Sequence, residues 1–197
     1  MDEIEDPLQQ IFAEHVDVAY RALDGIFDQI YVAVDVLMQS MLSERRILVA
    51  SQGMSAPLAG IFCSQLLGRR QLDRPALPAL NLSADFTTLN VIGEAYGSRE
   101  CFSRQIKTLG MTGDTLLLIA SSARENVDLV ESVGAAHALG IPVVALMAAN
   151  TPNLDAVLDQ EDVMLNIPSV DPARVMETQL LLLNTLCALV EQRLFGH

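Results

Sequence analysis

Apolar residues recur at Leu8, Ile11, Phe12, Ala19, Leu23, Ile26, Phe27 and Ile30, and Val34, Leu37, Met38 and Met41 continue the series. Steps of three and four residues predict an amphipathic helix. Gly25, with aspartates on either side, leaves two helices or one kinked helix open. This arm, residues 1–43, cannot bury its stripe alone. It is expected to pack on the rest of the chain or across a subunit interface.

From Arg46 the pattern changes to short continuous apolar runs separated by helical periodicity. Strands are predicted over 47–50, 79–82, 115–120, 143–147 and 162–167. Helices are predicted over 55–67, 84–96, 98–108, 124–139, 153–158 and 171–195. Strands separated by helices pair in parallel through right-handed crossovers. The expected fold class for 44–197 is therefore α/β, a five-stranded doubly wound sheet. Ligands of such sheets sit beyond the carboxyl ends of the strands.

Composition narrows the function classes. Hydrophobic residues make up 51% of the 197 and charged residues 19%, which indicates a single globular domain and hints at an additional face buried in an oligomer. The net charge of −13 is spread along the chain and argues against direct contact with nucleic acid, which needs clustered Lys and Arg. Cys63, Cys101 and Cys187 have no close spacing and read as reduced, buried thiols rather than a disulfide or metal site. No secretory signal opens the chain, and the apolar run Leu180–Leu183 passes into Asn184-Thr185, too short to span a bilayer. A cytoplasmic protein without a membrane partner is expected.

Two segments carry candidate chemistry. ILVASQGMSAPLAGIF (47–62) and TLLLIASSARENVDLV (115–130) each end a buried strand in a hydroxyl-bearing loop that opens a helix. Backbone N–H groups at a helix N-terminus favour an anion, so Ser55, Ser121 and Ser122 are candidate phosphate contacts. Ser55 and Ser122 are also ordinary N-cap residues. The loop Ser51–Ser55 has a single glycine, Gly53, which rules out a dinucleotide fingerprint or Walker loop there.

The order of elements, the segments RPALPAL and FSRQIKTLGMTGDTLLLIASS, and the ending DPARVMETQLLLLNTLCALVEQRLF resemble the sugar isomerase (SIS) domain family over essentially the whole chain. More narrowly they resemble phosphoheptose isomerases and their non-catalytic relative DiaA, which associates with the replication initiator DnaA. The resemblance implies a three-layer flavodoxin-like fold, a homotetramer and a phosphosugar ligand. No cofactor is expected.

Against the isomerase pattern the match is uneven. A CGNGGS-like first loop becomes Ala50-Ser51-Gln52-Gly53-Met54-Ser55, and an STSGNS-like second loop becomes Ala120-Ser121-Ser122 followed by Ala123-Arg124-Glu125-Asn126. The isomerases' Glu in the helix after the first loop corresponds to Gln65, and their His in the closing helix is matched here with Gln179. Aldose–ketose isomerisation needs groups that exchange protons, and an amide does not. Two further positions, metal-linked in some relatives, correspond to Ile61 and Met176, so no metal is expected there. Glu177 is retained. His15 in the arm is read as a surface or interface residue, with a neighbouring subunit's cleft within its reach. The tail Arg193-Leu194-Phe195-Gly196-His197 resembles the Leu-Phe tail of DiaA. Leu194 and Phe195 thus become candidate partner contacts, or simply the packed end of a helix. These departures favour a catalytically degenerate phosphosugar binder of DiaA type, not an enzyme, regulating replication initiation through DnaA. The alternatives are a phosphoheptose isomerase acting on sedoheptulose 7-phosphate and a phosphosugar-sensing module.

Overall fold

The computed structural model describes residues 6–70, 73–120 and 126–196. The arm is one helix, α1 (Pro7–Leu42), and it bends at Ile26 (φ −130°, ψ 17°) beside Gly25, so the kinked form is the one realised. The Asp6 carboxylate accepts the Leu8 N–H at 2.9 Å, and Pro7 in the first turn loses no intrahelical bond.

The remaining elements alternate: β1 (Ile47–Ser51), a 3-10 turn (Gly53–Ser55), α2 (Ala56–Leu67), β2 (Ala79–Asn81), α3 (Phe86–Tyr96), α4 (Glu100–Leu109) and β3 (Thr115–Ala120). Then come α5 (Val127–His137), β4 (Val143–Ala148), α6 (Pro152–Asp155), β5 (Val163–Ile167) and α7 (Pro172–Phe195). All five strands pair in parallel in the order β2-β1-β3-β4-β5, with Ile47 opposite Thr115 and Leu116 opposite Val143. The three-layer α/β fold is thus as expected, with element ends shifted by a few residues. The largest shifts are in α5, whose helix begins at Val127 rather than 124 and ends two residues early, and in α6, a single turn that ends three residues early.

The middle strands β1, β3 and β4 are buried along their whole length, which is why they read as unbroken apolar runs. One face of the sheet carries α1, α2 and α7; Ile30, Val34 and Leu37 of the arm share a core with Ile47, Leu117 and Leu183. The other face carries α4 and α5 through Phe102, Ile106, Leu129 and Val133. By length and composition α7 could cross a membrane, yet Val175, Leu182, Leu183, Leu186 and Val190 are buried against the sheet and α1.

Candidate functional site

Strands β1 and β3 are neighbours, while β2 continues outward from one and β4 from the other. The chain therefore leaves this pair in opposite directions and opens a crevice at their carboxyl ends. Ser51 closes β1 there and Ala120 closes β3. The walls are stitched together. The Ser51 N–H donates to Ser83 Oγ at 3.1 Å, Ser83 Oγ donates to the Ser51 carbonyl at 2.7 Å, and Ser51 Oγ donates to the Ile119 carbonyl at 3.3 Å. Gln52 Nε2 donates to Asn126 Oδ1 at 2.6 Å and ties the two loops across the crevice. Ser121 and Ser122 lie outside the described residues.

Ser55 is fully buried, and its hydroxyl donates to Gln179 Oε1 at 2.6 Å instead of capping α2. Gln179, also fully buried, donates Nε2 to the carbonyls of Ala120 at 3.0 Å and Leu146 at 3.3 Å. Its amide is a tie between α7, the strand ends and the first loop. The Gln179 amide, matched by sequence with a proton-carrying position of the isomerases, is instead engaged in buried contacts with Ser55 and two strand carbonyls.

Gln65 faces Asn184, with Nε2 donating to Asn184 Oδ1 at 2.7 Å. Across the groove between α2 and α7, Gln65 thus has Asn184 as its partner, while the Gln179 amide bonds Ser55 and the strand carbonyls. Gln65 is ten residues beyond Ser55, about 15 Å along α2. Its Oε1 is sheltered from solvent and has no partner, an orphan acceptor of a kind native proteins seldom leave. Arg74 fixes the end of this helix. Its guanidinium donates to the Gln65 and Leu66 carbonyls at 2.6 and 2.9 Å and pairs with Glu191 at 2.8 Å. Asn126 and Asn184 were both missed as candidates. Asn184 was detectable as the α7 residue two helical turns beyond Glu177 on the same side.

The groove between α2 and α7 holds the two further positions that are metal-linked in some relatives. Ile61 stands one turn before Gln65, and Met176 lies two turns before Asn184. An aliphatic side chain, a thioether and two amides already bonded to each other do not make a hard-metal donor set. The residues present do not fit a metal.

Groups able to exchange a proton are found elsewhere on α7. His15 Nδ1 lies 2.9 Å from Glu177 Oε2, and Arg174 Nη1 reaches the same oxygen at 3.2 Å while donating to the Ile11 carbonyl at 3.0 Å. Ile11, Phe12, His15, Arg174 and Glu177 line a cavity of about 320 Å³. By contrast, the thiols of Cys63 and Cys187 are pushed up to about 12 by burial and are inert. At the tail, Leu194 and Phe195 are half-buried and packed on the main core. An exposed apolar pair offered to a partner is not what the fold presents, because the last turn of α7 has core beneath it.

The SIS domain family model matches residues 12–148. The phosphoheptose isomerase of Chromohalobacter salexigens is 37% identical over 94% of this chain and 93% of its own length. That of Alkalilimnicola ehrlichii is 36% identical over 97% of both. Among solved structures, a phosphoheptose isomerase from Neisseria gonorrhoeae superposes with a TM-score of 0.87 at 29% identity, covering 94% of this chain and 97% of that one. One from Francisella tularensis gives 0.87 at 26%, covering 98% and 100%. These relatives overturn the expectation of a non-catalytic, DnaA-binding regulator: they carry the name of an enzyme, and none of them points to an initiator partner. The inference had rested on reading lost proton carriers at Gln65 and Gln179, one of which is a structural tie.

Proposed function

The chain belongs to the SIS domain family, and from that premise we propose that it is a phosphoheptose isomerase, interconverting sedoheptulose 7-phosphate and the matching aldose phosphate. The observation that carries this reading is similarity along nearly the whole length to relatives so named. The switch-point crevice, with the N-terminal end of α2 beside it, suits the phosphate. The orphan Gln65 Oε1 suits a sugar hydroxyl, which would supply the donor it lacks.

Isomerisation takes a proton from the carbon beside a carbonyl and returns one to its neighbour. Gln65 and Asn184 can orient sugar hydroxyls away from the reacting carbons, and they cannot move that proton. On α7 the task falls to Glu177 and His15, with Arg174 attracting the anionic substrate. Glu177 lies about 10 Å from Asn184 along the helix, a separation an extended seven-carbon phosphosugar can bridge.

We further propose a homotetramer. Leu8, Phe12, Val16, Tyr20 and Phe27 lie at helical spacing on α1 and are each half or more exposed, a stripe larger than a soluble monomer keeps in water. Three free cysteines suit a reducing cytoplasm. Purified protein incubated with sedoheptulose 7-phosphate should produce aldose signals by NMR. A spectrum unchanged from the protein-free control overturns the reading.

A further inference from the structure

At the end of the sheet opposite the crevice, His137, Asp159 and Asp162 bring one imidazole and two carboxylates together, with donor atoms all within 4.8 Å of one another. We propose that these three residues bind a divalent transition-metal ion of the zinc class and so clamp α5 to the start of β5.

The donors come from three separate places in the chain. His137 is the last residue of α5, Asp159 lies in the turn after α6, and Asp162 immediately precedes β5. His137 Nε2 is 2.9 Å from Asp162 Oδ2 and 3.9 Å from Asp159 Oδ2. Ligands held at about 2.0–2.2 Å from a zinc ion lie roughly 3 Å apart, so only the Asp159 side chain has to close in. One imidazole nitrogen and two carboxylate oxygens form a borderline donor set of the kind zinc accepts, unlike the amides and apolar groups of the α2–α7 groove.

The site is also held in place before any ion arrives. The Asp162 side chain is 1% exposed, its Oδ1 accepts the Val143 N–H at 2.9 Å, and its Oδ2 accepts the Asp159 N–H at 3.0 Å. Each oxygen retains lone-pair capacity. His137 ends a helix, where the carbonyl dipoles favour a cation. Asp159 is 57% exposed, so the ion has a route in and water can complete its coordination.

The test uses the full chain and zinc(II) itself, with cobalt(II) as the spectroscopic probe. Calorimetry should give one equivalent bound, cobalt(II) should develop visible d–d absorption, and a hundredfold excess of zinc over Kd should raise Tm by about 5–10 °C. Asp159→Asn, an exposed change that leaves the fold alone, and His137→Ala should each weaken binding at least about tenfold. His15→Gln, which removes the other imidazole described, should bind as the wild type does. No binding at millimolar zinc, or binding unchanged in Asp159→Asn, would show that the cluster is only an ion pair. Neither outcome depends on isomerase turnover.

Discussion

The contacts that α7 makes with α2 and with α1 come from the same helix and do opposite things. Toward α2 it presents Asn184 to Gln65 and Gln179 to Ser55, amide and hydroxyl groups that are bonded to one another or to carbonyls. Toward α1 it presents Glu177 to His15 and Arg174, groups that gain and lose protons or carry fixed charge. Amides hold geometry over a wide pH range, whereas a histidine–carboxylate pair can change its charge. Position along a helix is thus a poor guide to role when neighbouring residues lean on different partners.

The largest effect expected from breaking this contrast is in Glu177→Gln. It keeps the shape and removes the base, and kcat should fall about 10²- to 10⁴-fold with Tm nearly unchanged. Glu177 is half-exposed, so little stability depends on it. Steady-state kinetics with the phosphosugar would decide this.

Next in size is Gln179→Leu, which removes the acceptor of the buried Ser55 hydroxyl and the side-chain donor to the Ala120 and Leu146 carbonyls. Unfolding free energy should drop by about 2–4 kcal/mol, read from urea denaturation. A variant of unchanged stability would mean that Gln179 is not the tie described.

The contrast is sharpened by moving proton chemistry onto the amide flank. Gln65→Glu with Asn184→His places a carboxylate and an imidazole across the 2.7 Å contact. The new pair should not restore turnover to Glu177→Gln, because it lies about 10 Å along α7 from the carbons that Glu177 serves. Rescue of Glu177→Gln by the double variant would instead place the reacting carbons in this groove.

The smallest effect belongs to the tail. Leu194→Ala removes half-buried packing and should cost about 1–2 kcal/mol while leaving kcat alone.

The fold was legible because its signals are local. Ile47–Val49 and Thr115–Ala120 are buried on both faces and read as strands directly, and Gly25 marked the α1 bend without deciding its form. The site was less legible because its contacts are distant in the chain. Ser55 looked like an N-cap or a phosphate contact until Gln179, 124 residues away, claimed its hydroxyl. His15 looked like a surface residue until Glu177, 162 positions later, proved to face it. Leu194 and Phe195 could not be placed from sequence, since packed and presented ends of an amphipathic helix share one spacing. No periodicity encodes which side chains lean toward each other.

The most direct measurement is NMR of sedoheptulose 7-phosphate in D₂O with the wild-type enzyme and Glu177→Gln side by side. The account predicts aldose formation with solvent deuterium at the exchanging carbon for wild type, and loss of both for the variant. Equal incorporation in the two proteins, or none with wild type, would contradict it.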